Sequence, residues 1–161
     1  MKPQSIFIIL LFLVVTFFST PAFCAKFEHV FGAGVGLPYG GLGVNYEFGV
    51  CDYFAPVFGL GLVPDNVGWN AGARLYYPGR ESTFRARLTA LYGTNTIIER
   101  ADSDEEYDTE TGLSGGIGIN WRFAQHWAFD ADLFFVDQDI PDGYEKEGSD
   151  IKISLGCSFR W

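Results

Sequence analysis

From residue 27 onward, apolar side chains occupy every second position over long runs, with glycine, polar or charged residues between them. A period of two marks a β-strand with two unlike faces, because successive side chains of a strand point to opposite sides. No long stretch of this region carries the i, i+3, i+4 spacing of a helix. The alternation predicts eight strands, at about residues 27–37, 41–50, 53–62, 67–77, 84–96, 113–123, 126–136 and 151–161. The sixth shows the pattern clearly: Leu113, Ile117, Ile119, Trp121 and Phe123 hold one parity, and Ser114, Gly116, Gly118, Asn120 and Arg122 the other. Short turns (PYGG, CD, VPDN, PGRES and AQ) separate most strands, and two long acidic segments, IERADSDEEYDTE and DQDIPDGYEKEGSD, separate the rest. Pro56 is a misfit in the third strand, because proline cannot donate to a ladder paired on both sides.

Strands of this kind close into a barrel, and its sidedness decides its environment. A soluble barrel points its apolar face inward, whereas a transmembrane barrel turns that face to lipid and keeps polar groups in the lumen. Aromatic residues make up 17% of the chain, with 16 Phe, 8 Tyr and 4 Trp. On the apolar parity they are too bulky for the inside of an eight-stranded barrel, which side chains only just fill. The other parity is mostly glycine with a few charges, a poor solvent-facing surface but a suitable narrow lumen. The expected fold is therefore all-β: an eight-stranded antiparallel up-and-down transmembrane β-barrel.

The few inner charges are of both signs. Arg74, Arg85, Arg87, Arg122, Lys152 and Arg160 share the inner parity with Glu28, Glu47, Asp130 and Asp132. A buried charge without a partner costs several kcal/mol, so these ten residues are expected to form a lumenal salt-bridge network. A lumen filled in this way is too narrow for a wide diffusion pore.

The other end of the chain sets the compartment. Met1 and Lys2 precede the apolar run IFIILLFLVVTFF and the exit STPAFCAK, the layout of a secretory signal peptide. The run is shorter than the roughly 20 apolar residues of a membrane-spanning helix. Cleavage after Cys24 places small Ala22 three positions back, and cleavage after Ala25 places bulky Phe23 there. Residues 1–24 are thus read as the leader, its end at 24 or 25, and residues 25–161 as one domain. A lipoprotein site at Cys24 is disfavoured by Phe23 before it. Two remaining cysteines, Cys51 and Cys157, are no disulfide framework and read as small apolar residues. A net charge of −9 leaves no basic surplus for nucleic acid.

The last strand, IKISLGCSFRW, alternates strictly up to a final aromatic residue. Ile151, Ile153, Leu155, Cys157, Phe159 and Trp161 resemble the C-terminal insertion signal of outer-membrane barrel proteins, which implies recognition by the barrel-assembly machinery. The whole domain resembles the small eight-stranded outer-membrane β-barrel proteins of Gram-negative bacteria, within the porin-like superfamily. That resemblance implies residence in the outer membrane, with short turns and both termini periplasmic and the long acidic connections outside. Aromatic residues then form interfacial girdles, with Tyr53, Phe84, Trp121, Trp127 and Trp161 on the periplasmic side and Tyr39, Trp69 and Tyr92 nearer the outside. The short turns PYGG and VPDN depart from long-looped members, so adhesion through protruding strands is not implied at those positions.

Some small barrels of this kind are lipid A acylhydrolases or acyltransferases, whose chemistry needs serine, histidine and an acid within hydrogen-bond reach. Only His29 and His126 are present; both fall at the periplasmic strand ends, away from outer-leaflet lipid, and no catalytic residue is assigned. The segment DSDEEYD suggests calcium through Asp102, Asp104, Glu106 and Asp108. It departs from the EF-hand pattern, with Tyr107 in the glycine position and Leu113 in that of the bidentate acid, and reads as a solvated loop. GAGVGLPYGG lacks the GKS/T and following helix of a phosphate loop, and its alternating glycines fit close packing across a lumen instead. No metal or cofactor is expected. The expectation is a monomeric, non-enzymatic barrel with a structural or interaction role at the cell surface, contacting membrane lipid and lipopolysaccharide. Its alternatives are a lipid A-modifying enzyme, a narrow ion or solute channel, and a soluble periplasmic lipocalin-like carrier.

Overall fold

The computed structural model describes residues 27–64, 66–79, 82–100, 107–136, 144–146 and 150–161. The expected leader, and Asp102, Asp104 and Glu106 of the acidic segment, lie outside the described residues. Among the described residues nine strands follow in chain order: β1 (Glu28–Gly36), β2 (Gly41–Gly49), β3 (Phe54–Val63), β4 (Asn66–Tyr77), β5 (Phe84–Arg100), β6 (Tyr107–Arg122), β7 (Trp127–Val136), β8 (Tyr144–Lys146) and β9 (Ile151–Arg160). Eight of them pair antiparallel around a closed ring, β1 through β7 in order and then β9, which returns to β1. The seam runs from Val30↔Arg160 to Val35↔Leu155. Two further bonds extend it, from His29 N to Trp161 O at 3.3 Å and from Trp161 N to His29 O at 3.1 Å. Closure matters physically, because an open sheet edge in lipid would strand its backbone polar groups.

Sidedness follows the alternation. Leu60, Leu75, Leu88, Ile117 and Leu155 sit on the outside and are exposed, as are aromatic residues such as Phe58, Phe84 and Trp121. Glu47, Arg74, Arg87, Asp130 and Asp132 lie on the opposite face of the sheet and are buried inside. So wide an apolar surface far exceeds the patches a soluble monomer shows and is the favoured surface in hydrocarbon. Connections 50–53 and 123–126 share one end of the barrel with Phe27 and Trp161, and β8 and the paired ends of β5 and β6 at Arg100 and Tyr107 lie at the other.

The structure departs from the sequence reading in four places. First, PYGG is not an outward turn. Leu37–Tyr39 forms a single turn of 3-10 helix folded into the barrel, with all three residues buried. Gly36 (φ 116°) and left-handed Gly40 (φ 65°) let the chain reverse inward, and the Gly40 N–H caps the turn on Leu37 O at 3.0 Å. Tyr39, 1% exposed, is therefore a lumenal side chain and not part of the outer girdle; Trp69 and Tyr92 remain outside, edge to face at 6.2 Å.

Second, β5 and β6 continue past residues 96 and 113 into the acidic segment, with a bulge between Thr94 and Thr96. Backbone pairing persists there after apolar alternation stops. β8, unforeseen from the sequence, pairs with Ile98–Arg100 of β5. Third, Pro56 is tolerated because the β2–β3 ladder stops one residue short of it, at Glu47↔Val57, and Pro56 pairs only with Ala73 of β4. Fourth, the interior is not wholly polar: Leu37, Val57, Leu91, Phe134 and Val136 form a buried cluster.

The filled lumen as candidate functional site

Two strands supply most of the charge. Asp130 and Asp132 stand two residues apart on β7, and Arg85 and Arg87 two apart on β5, so each pair faces inward together. Arg87 donates from Nε to Asp132 Oδ1 at 2.7 Å, from Nη2 to Asp132 Oδ2 at 2.6 Å, and from Nη1 to Asp130 Oδ1 at 2.5 Å. Gly118 lies between them on β6, and a Cβ there would strike the Asp132 carboxylate. Arg74 of β4 donates to Glu47 of β2 and approaches Asp132 at 3.9 Å. Tyr76 donates its hydroxyl to Glu47 at 2.5 Å.

Arg85 takes another route. Its Nε and Nη2 donate to Asn120 Oδ1 at 3.0 and 2.7 Å, and Asn120 Nδ2 donates onward to Asp130 at 2.8 Å. The amide thus links a guanidinium to a carboxylate it does not touch. The Arg85 guanidinium also stacks over the Tyr76 ring, 4.4 Å from its centroid. Among the described residues, three deeply buried arginines therefore face three buried carboxylates, Glu47, Asp130 and Asp132. The layer is neutral overall, which is what makes so much buried charge tolerable.

The inward turn sits towards the other end. Asn70 Nδ2 donates to Leu37 O at 2.8 Å, and Leu37 N donates to Ser154 Oγ at 3.2 Å. On the far side of the charge layer, towards Phe27 and Trp161, a small recess of about 10 Å³, room for about one water, is lined by Glu28, Glu47, Tyr76 and Arg85 among others.

No protein-family model matches the sequence, and no curated protein matches it either. Among solved structures, the crystal structure of the N-terminal β-barrel domain of Pseudomonas aeruginosa OprF superposes with a TM-score of 0.58 at 15% identity, over 84% of this chain and 97% of that one. Ail, the attachment invasion locus protein of Yersinia pestis, solved in complex with the heparin analogue sucrose octasulfate, superposes with a TM-score of 0.45 at 13% identity, over 85% of this chain and 100% of that one. The fold is that of the small outer-membrane β-barrels.

Within this outer-membrane barrel fold, the ten charges named from the sequence fall at different places along the lumen. Glu47, Arg74, Arg87, Asp130 and Asp132 are joined by ion pairs, and Arg85 joins through Asn120. Glu28 and Arg160 pair at the barrel end, 3.3 Å apart. Arg122 donates to Ser82 O at 2.6 Å. Lys152 is half-buried and has no ion pair among the described residues. Tyr76 and Tyr39 were missed because aromatic residues were assigned to the lipid face; for Tyr76 the parity it shares with Arg74 on β4 was the available signal, and Tyr39, in a turn, carried none.

The alternating apolar residues of the barrel's last strand lie on the outer face. Ile153, Leu155 and Trp161 are exposed, Cys157 is half-buried, and Phe159 packs against Trp127 and Trp161 at 5.1 and 6.0 Å. His29 stacks on Trp161 at 5.7 Å, its Nδ1 lying 2.5 Å from Tyr46 Oη. His126 donates from Nδ1 to Arg160 O at 2.9 Å. Both histidines are thus occupied by aromatic and backbone neighbours at the strand ends. Neither Cys51 nor Cys157 forms a disulfide among the described residues.

Proposed function

We propose that the protein is a monomeric outer-membrane barrel with a closed, side-chain-filled interior and a structural or interaction role at the cell surface, without catalytic activity. The observation that carries this reading is its sidedness: an uninterrupted apolar exterior around a neutral charge layer and an inserted turn. In the proposed orientation the chain ends and short connections are periplasmic and the acidic connections face outward. The lipid-facing belt contacts membrane lipid and lipopolysaccharide, and the alternating apolar residues of β9, ending at Trp161, serve the barrel-assembly machinery. The placement of His29 and His126 supports a non-enzymatic role over lipid A chemistry, because both lie at the chain-end side among aromatic rings. A soluble carrier would need an internal apolar chamber, where this barrel holds three arginines and three carboxylates.

The test is heat-modifiable migration in SDS gels combined with membrane fractionation. A shift between unheated and boiled samples, with the protein confined to the outer-membrane fraction, is the expected result. A protein recovered in the soluble periplasmic fraction with no shift would overturn the reading.

A further inference from the structure

Every ladder of the ring but one joins strands consecutive in the chain, β8 aside. The exception is the seam, where β1 meets β9. Closing a contact across most of a chain costs more entropy than closing a hairpin, so the seam is the ladder with most need of a second hold. Its pairing ends at Val35↔Leu155, while β9 runs on, paired with β7, to Ile151.

The inward turn begins where that pairing ends. Leu37 N donates to the buried Ser154 Oγ of β9 at 3.2 Å, across 117 residues of sequence. The Tyr39 ring then lies along the inner side of the seam. A Cβ on Gly34 of β1 or on Gly156 of β9 would meet that ring, and these two glycines are partners in the seam ladder. On the far wall, Asn70 of β4 donates to Leu37 O at 2.8 Å, and Leu37 belongs to the buried cluster with Val57 of β3, Leu91 of β5 and Phe134 of β7. Filling space would not require a backbone bond to each side of the lumen. This turn makes both, and it touches the two seam strands at once.

We propose that the Leu37–Tyr39 turn is a clasp that holds the β1–β9 seam closed from within, so that seating of the turn and closure of the barrel are one cooperative event. While the seam is open, Ser154 and Gly156 stand away from Gly34, and the turn has only part of its site. With the turn unseated, the seam keeps its ladder and, at the other end, the stacking of Trp161 on His29. The coupling is reciprocal: what seating adds to closure, closure adds to seating.

Amide hydrogen exchange of the refolded protein in detergent micelles, followed by NMR, tests this, because exchange reports opening region by region. Ser154→Ala removes the hold on β9 and Asn70→Ala the hold on β4, with heat-modifiable migration checked for each. Both should speed exchange of the seam amides, within residues 30–35 and 155–160, by roughly tenfold, the scale of one lost buried hydrogen bond, and leave the β6–β7 ladder at its native rate. Asn70→Ala decides the matter, since the Asn70 amide donates to Leu37 O and Thr94 O and to no seam residue. Ser154→Cys, with a weaker acceptor, and Asn70→Leu, which cannot donate, stand in for an alanine chain that does not refold. Seam amides at the native rate when Asn70 is replaced, or faster exchange spread evenly over every ladder, would overturn the clasp and leave the turn a filler.

Discussion

Asp132 holds Arg87 by both carboxylate oxygens, Nε on Oδ1 at 2.7 Å and Nη2 on Oδ2 at 2.6 Å, with both side chains buried. A fork of this kind fixes orientation as well as charge. Removing one member leaves the others uncompensated where no water can replace it. Arg87→Ala should therefore destabilise the folded barrel by about 3–5 kcal/mol, because Asp130 and Asp132 both lose their main partner. Arg87→Lys keeps the charge but not the fork and should fall between the two. Urea unfolding of the refolded protein in lipid vesicles, followed by tryptophan fluorescence, would give both values; a loss within experimental error for Arg87→Ala would mean the layer is hydrated and loosely held.

Two glycines separate the inside from the outside. A Cβ at Gly59 would collide with the backbone carbonyl of Pro38, whereas nothing lies within 4 Å of one at Gly115. Gly59→Ala should cost about 1–3 kcal/mol as overpacking against a backbone atom, and Gly115→Ala about 0.5 kcal/mol or less in either direction. Equal effects in the same unfolding assay would show that the turn yields easily to a new neighbour.

The outward belt makes a sharper demand. Leu88 is exposed on β5, between Leu75 and Ile117 on the neighbouring strands. In water, Leu88→Arg would be nearly neutral. Facing lipid it should cost about 2–4 kcal/mol, read as a drop in unfolding free energy from vesicles and in the heat-shifted fraction. A neutral result would point to a soluble barrel.

Trp161 closes the seam, stacking on His29 at 5.7 Å and on Phe159 at 6.0 Å. Aromatic pairs contribute about 0.5–1.5 kcal/mol each beyond burial, so Trp161→Ala should destabilise by about 1–3 kcal/mol. Removing residue 161 altogether also deletes the paired backbone bonds to His29 and should lower the heat-shifted fraction further. If the two variants behave alike, the side chain and not the ladder carries the effect.

How much of this was legible in one dimension depended on the kind of interaction. Strand positions, barrel closure and the lipid-facing parity were readable, because period-two alternation records which face each residue takes. The grouping of Glu47, Arg74, Arg87, Asp130 and Asp132 on one face was readable for the same reason. Who bonds to whom was not, since Arg74 lies 27 residues from Glu47 and Arg87 45 from Asp132, and only strand order and register bring them together. Asn120 stood on the inner parity, but nothing local marks an amide as the bridge between Arg85 and Asp130.

The alternation by itself determined that this chain forms amphipathic strands whose bulky face cannot be the inside, because side-chain volume and charge are properties of residues and need no fold to be counted. Tertiary structure alone decided where the PYGG segment goes. As a string, Leu37–Tyr39 between glycines is an ordinary turn with an aromatic residue suited to a membrane interface. Folded, it enters the lumen, because glycines from five strands, far apart in the chain, leave it room beside Leu91 and Phe134. A space shared by five strands is written in no single one of them.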